Sequence, residues 1–114
     1  MYLLIIILTK EGILEDVLSA LIELGITDAS ILESQALGKV LAYKVPIFAG
    51  LRFGMEGGRP YSKTILALVE DKEADRKIAQ LLKDVEIDLE EPGTGLIATV
   101  KVESFVGRLG EVEI

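Results

Sequence analysis

The chain contains no cysteine, histidine, tryptophan or asparagine, and only 5% of its 114 residues are aromatic. Without cysteine and histidine it lacks a thiolate nucleophile, an imidazole base and the ligands of the usual zinc, copper and haem sites. A metal ion could be bound only by carboxylates, and we predict no metal site. Half of the residues are hydrophobic, so the core must be built from aliphatic side chains.

Basic residues are also in short supply, since the formal charge is −7. Affinity for nucleic acid depends on clustered lysine and arginine, so we do not expect nucleic acid as a partner. The charge is unevenly distributed along the chain. Residues 39–63 carry a net charge of +4 and the remainder carries −11.

The apolar run MYLLIIIL at the start is the only stretch that resembles a targeting segment. It lacks a basic region and a small-residue cleavage site, and it is much shorter than the roughly 20 residues that cross a bilayer. We therefore expect a cytoplasmic protein that is not embedded in a membrane. The run is typical of a buried central strand.

Hydrophobic periodicity predicts four strands and two helices in a single domain, residues 1–114. The predicted strands are residues 1–9, 29–37, 64–70 and 96–104. The first helix has its apolar stripe at Ile13, Leu14, Val17, Leu18, Leu21 and Ile22, and Gly25 follows as a stop. The second has Ala74, Ile78, Leu81, Leu82 and Val85, with Asp71 as its N-cap.

This order predicts an α+β fold, a ferredoxin-like βαββαβ sandwich with two helices on one face of an antiparallel sheet. The strands are apolar on both sides, so we expect the other face of the sheet to be buried against further subunits. The tail, residues 105–114, is expected to form a further edge strand or an arm on a neighbouring subunit.

A long insertion separates the second and third strands. It contains two of the three prolines, yet it also carries Phe48, Leu51, Phe53 and Met55. Structureless loops longer than about 12–15 residues are usually functional or disordered, and large apolar side chains are typical interface anchors. We expect residues 39–61 to contact a partner protein; packing of these side chains on the protein itself is the alternative.

Nearly the whole chain resembles the PII family of nitrogen-regulatory signalling proteins. The resemblance is carried by LGITDASILESQALGK before the insertion, by PGTGLIATV, and by the VES that follows the fourth strand. It implies a homotrimer that binds ATP or ADP between subunits, with residues 39–61 as a T-loop that reaches a transporter or an enzyme. The nucleotide-binding residues that it implies are Gly38, Lys39, Gly93, Thr94, Gly95 and Arg108.

The chain departs from the family pattern at three places. The run Ala36, Leu37, Gly38, Lys39, Val40 stands where members that sense 2-oxoglutarate have Gly-aromatic-Gly-Arg-Gln. Leu96 stands where a lysine usually follows the second glycine of the B-loop, and Arg108 stands alone where two arginines alternate. These differences put the effector in question.

Two other functions fit the order of elements. An ACT-like module that senses amino acids shares it, but such domains usually lack the long insertion. A small ferredoxin-like enzyme would have to use Glu90 and Glu91, and adjacent residues in an extended chain point to opposite sides. We predict that the protein is a regulator and not an enzyme.

Overall fold

The computed structural model describes residues 1–37 and 61–108. In these two ranges the chain forms four strands and two helices, in the order β1 (Tyr2–Leu8), α1 (Leu14–Glu23), β2 (Ala29–Gln35), β3 (Tyr61–Val69), α2 (Ala74–Asp84) and β4 (Gly95–Lys101). Neither helix is long and apolar enough to cross a membrane. All six elements were predicted, and most of the strand ends differ by one to three residues.

The strands form one antiparallel sheet in the order β2-β3-β1-β4. The central strand β1 pairs Leu8 with Lys63 on one side and with Gly95 on the other. We call this end of the sheet, where β1 finishes and β4 begins, the upper edge. At the opposite lower edge, Tyr2 pairs with Val69 and with Lys101.

The core lies between the helices and one face of the sheet. Alternate residues of β1 and β3 are buried on this face, and the buried residues of both helices belong to the same cluster. Its largest fully buried side chains are Leu4, Ile6, Leu8, Leu21, Ile65, Ile78, Leu82 and Val17. The prediction of an α+β domain with an aliphatic core is confirmed.

Two residues placed in the predicted helix stripes are exposed instead. Ile22 is 53% exposed, because the stripe of α1 that meets the sheet runs through Val17 and Leu21 and leaves Ile22 at its margin. Val85 is 55% exposed, because α2 ends at Asp84 and the chain turns away there. Residues 39–60 of the predicted insertion and residues 109–114 of the predicted arm lie outside the described residues, and Tyr61 already belongs to β3.

Asp71 is not the N-cap of α2, since the helix begins at Ala74 and Glu73 occupies the cap position. Its carboxylate instead accepts a hydrogen bond from the Glu73 amide at 2.9 Å and another from Lys77 Nζ. A short acidic side chain that accepts the amide two residues later forms an Asx-turn. Asp71 therefore fixes the entry to α2 from the preceding turn.

The Asp71 contacts give stability a pH dependence of known sign. The hydrogen bond from Lys77, followed by that from the Glu73 amide, lowers the pKa of Asp71 below its ordinary value. A lowered pKa in the folded protein stabilises it above the ordinary pKa, and this contribution is lost as the pH falls through the folded-state pKa. We expect Asp71→Asn to lower the melting temperature slightly at pH 7, and we expect this difference to vanish in acid. A Glu103→Gln control, which removes an exposed charge, should show no such convergence.

Candidate functional site

The turn that carries Gly93, Thr94 and Gly95 is attached to the upper edge of the sheet. The Thr94 carbonyl accepts hydrogen bonds from the amides of Thr9 at 3.0 Å and Lys10 at 3.2 Å. Thr94 is only 3% exposed, and Gly95 begins β4 opposite Leu8. These contacts hold the turn in place beside the end of β1.

The two glycines of this turn are needed for different reasons. A Cβ atom on Gly95 would lie 2.5 Å from the carbonyl oxygen of Ile7, which is closer than real contacts permit. Gly93 has open space around it, but its φ of +84° is unfavourable for other residues. Both glycines are therefore explained by the fold, whether or not the turn binds phosphate.

The chemistry available at this turn is modest. The amide of Thr94 already donates to the Glu91 carbonyl at 3.3 Å, which takes it away from an anion. Lys10 is exposed and adjoins the turn through its amide, and Arg76 lines a cavity together with Gly95. Leu96, which follows the turn, is 49% exposed on the face of the sheet opposite the helices.

Arg108 belongs to the segment that leaves the sheet at its lower edge. Strand β4 carries the chain from Gly95 to Lys101, a distance of about 20 Å at about 3.4 Å per residue. At the lower edge the amide of Val102 donates to the Met1 carbonyl at 3.1 Å, and Arg108 follows in an exposed segment. Within the described ranges no hydrogen bond or ion pair joins Arg108 to the Gly93–Gly95 turn. Gly38 and Lys39 lie outside the described residues.

Comparison of the chain with protein-family models and with curated proteins found no match. The function must therefore be argued from the surfaces of the molecule.

A polar cluster lies where β2 and β3 lead to and from residues 38–60. The Ser34 hydroxyl donates to Ser62 at 2.7 Å and accepts from Thr64 at 2.9 Å, and Ser62 is only 4% exposed. Glu33, Gln35 and Tyr61 complete the lining of a cavity of about 390 Å³. Sequence reasoning missed these hydroxyls, because only the pairing of Ser34 with Ser62 brings them together.

Among the described residues, Lys63 is paired with Glu33, which lines this cavity. It forms an ion pair with Glu33 across the β2–β3 pairing, and its ammonium group lies 6.0 Å from the centre of the Tyr61 ring. The described residues that line the cavity therefore offer hydroxyl and amide groups, and their one carboxylate, Glu33, is already paired. No group of three or more Asp or Glu side chains within residues 1–37 and 61–108 could hold a metal ion.

The sheet face that points away from the helices is a further surface without an assigned role. The register places a set of apolar side chains there, with Thr64 between Ile7 and Leu32, and no described element covers them. Leu96 is 49% exposed, Val100 47% and Leu32 42%. The full set is Leu3, Ile5 and Ile7 of β1, Leu66 and Leu68 of β3, Leu96, Ala98 and Val100 of β4, and Leu32 of β2. We call it the open sheet face.

Proposed function

We propose that the protein is a PII-like regulator that assembles as a homotrimer, binds a small anionic effector between subunits and regulates a partner protein through residues 39–61. The observation that carries this proposal is the open sheet face. A sheet face with this many uncovered aliphatic side chains is uncommon on a monomer and is typical of a subunit interface. In this proposal the strand order β2-β3-β1-β4 is that of a ferredoxin-like sandwich. The protein is proposed to act in the cytoplasm.

The placement of the candidate site residues supports a site shared between subunits. The Gly93–Gly95 turn lies at the upper edge, whereas the segment with Arg108 starts at the lower edge. Two copies can complement one another, one providing the turn and the other providing the arginine. Such a site would exist only in the assembled protein, which is how binding of an effector becomes sensitive to subunit arrangement.

The effector is proposed to be an adenine nucleotide, ATP or ADP. Backbone amides of a glycine turn and one arginine provide donors for phosphate oxygens, and Lys10 adds a charge beside the turn. Binding must favour one arrangement of residues 39–61 over another if it is to control a partner. The net charge of +4 in residues 39–63 favours a partner with an acidic surface.

The test begins with the mass of the protein in solution, which should be three times the 12.4 kDa of the chain. Calorimetric titration with ATP and ADP should then show one saturable site per subunit. We expect Arg108→Ala to weaken binding by roughly tenfold or more, the usual effect of losing a hydrogen bond to a charged group. Lys83→Ala, an exposed change on α2, is the matched control. Absence of heat with either nucleotide would overturn the proposed effector, and a monomer mass would overturn the assembly.

A further inference from the structure

An apolar groove runs between helix α1 and the edge strand β2. It has a volume of about 270 Å³ and is lined by Leu18, Leu21, Ile22, Ile26, Ala29 and Ile31. Ile22 is 53% exposed and Ile31 is 49% exposed, and no described residue covers either side chain. We call this surface the α1/β2 groove.

The groove adjoins a row of backbone groups that can accept another strand. Among the described strands β2 pairs only with β3, so its outer edge presents unpaired amides and carbonyls. Edge strands are usually protected by lysine, proline or a bulge, and Ala29–Gln35 has neither of these residues. The edge and the groove together form one surface suited to an extended segment with large apolar side chains.

The stretch of chain that forms this surface carries charged side chains of a single sign. Residues 11–38 contain six acidic residues and no lysine or arginine. Glu15 and Glu23 of α1 are exposed close in sequence to Leu18 and Ile22, whereas Glu33 of β2 is already paired with Lys63. A segment that binds here should therefore be basic as well as apolar.

We propose that the α1/β2 groove binds residues 38–60 of the same chain. This segment carries Lys39, Lys44, Arg52 and Arg59 against the single acid Glu56, together with Phe48, Leu51 and Phe53. Its net charge is opposite in sign to that of residues 11–38. Its large apolar side chains can fill the apolar groove. The two stretches are consecutive in the chain, so the segment is present at a high effective concentration.

The segment is long enough to reach the groove from its two attachment points. Gln35 and Tyr61 are paired at the upper edge, and Ile31 is about 14 Å from Gln35 along β2. The chain from Leu37 to Leu51 can extend over more than about 40 Å, and the return from Leu51 to Tyr61 can cover about 33 Å. Leu51 can therefore lie in the groove without any change in the sheet.

Docking in the groove and contact with a partner are mutually exclusive uses of the same apolar side chains. A partner must then displace residues 38–60 from α1 and β2 before the protein can regulate that partner. This consequence rests on the proposed function, whereas the docking itself does not.

The experiment uses the full chain. Because the chain contains no cysteine, any disulfide must form between introduced cysteines. Ile22→Cys is combined with Leu51→Cys, and separately with Phe48→Cys, and disulfide formation under mild oxidation is followed on a non-reducing gel. We expect at least one pair to form a disulfide within a chain at least tenfold faster than the control pair Leu51→Cys and Gln80→Cys. Gln80 is exposed on α2, away from the groove.

A second measurement tests the charge. Glu15→Lys with Glu23→Lys should slow the disulfide by at least threefold, and added salt should slow it in the unaltered background. Equal rates of disulfide formation for the pairs that contain Ile22→Cys and Gln80→Cys would overturn the proposal. Disulfides formed only between chains would also overturn it, because they would identify a second copy as the occupant. The charge variant should keep its mass and nucleotide titration, so failure of the docking and failure of the proposed function are read separately.

Discussion

Substituting alanine for Gly95 should lower the melting temperature by roughly 10 °C or more. The added Cβ would lie 2.5 Å from the Ile7 carbonyl oxygen and 3.2 Å from the Leu8 Cα, which are backbone atoms of the central strand. Neither atom can move without disturbing the pairing of β1 with β4. Overpacking against such a rigid neighbour costs about 2–4 kcal/mol, and each kcal/mol is worth about 4 °C in a domain of this size.

Gly93→Ala is the matched control for this change. Gly93 has a φ of +84° and no atom within 4 Å of the position of a Cβ, so alanine there meets only backbone strain of about 1–2 kcal/mol. Thermal unfolding followed by circular dichroism should therefore rank the wild type first, Gly93→Ala second and Gly95→Ala last. Equal melting temperatures for the two variants would mean that the sheet relaxes around the new methyl group. Gly93→Ala is also the better variant for testing the turn in nucleotide binding, because it preserves more of the fold.

The order of elements could be predicted from the sequence because each element has a clear hydrophobic period. The stripe through Val17 and Leu21 and the stripe through Ile78 and Leu82 lie in the core as predicted, whereas the apolar run of β1 is buried only at alternate residues. Strand ends were less accurate. Tyr61, Ser62 and Lys63 belong to β3 because they pair with Gln35, Ser34 and Glu33, and such pairing depends on residues distant in sequence.

The side of β4 that faces the helices could not be predicted. The alternation of Leu96, Ala98 and Val100 with Ile97, Thr99 and Lys101 predicts a half-buried strand and does not say which set is buried. In the fold Ile97 joins the core, whereas Leu96 and Val100 lie on the open sheet face. Periodicity shows that two faces differ, and only the strand register shows which of them the helices cover.

The candidate site was predictable only as a set of separate residues. The resemblance implies Gly93, Thr94 and Gly95 as phosphate ligands. The packing of β4 against β1 also requires glycine at position 95, because the backbone of Ile7 approaches it closely, and no local sequence pattern encodes that approach. The hydroxyl cluster of Ser34, Ser62 and Thr64 was missed for the same reason. Nucleotide binding at the turn and at Arg108 stays a prediction.

Replacing Ile5 with lysine should convert the proposed trimer into a monomer. Ile5 lies at the centre of the open sheet face, between Leu66 on β3 and Ala98 on β4. It is only half-buried in a single chain, so the lysine side chain can extend into water there and the fold should survive. In an assembly the same charge would be buried against apolar side chains without a partner, at a cost of at least about 3 kcal/mol for each subunit.

The decisive comparison is between the mass of the protein and its melting curve. Light scattering should give a monomer for Ile5→Lys, while circular dichroism should show a folded protein. Val85→Lys introduces the same charge at a side chain that is 55% exposed beyond the end of α2, and it should leave the mass unchanged. If Ile5→Lys keeps the mass of the wild type, the open sheet face is not the subunit interface, and the argument for a PII-like assembly loses its main support. If Ile5→Lys is monomeric and no longer binds nucleotide, the proposed effector site must be built from more than one subunit.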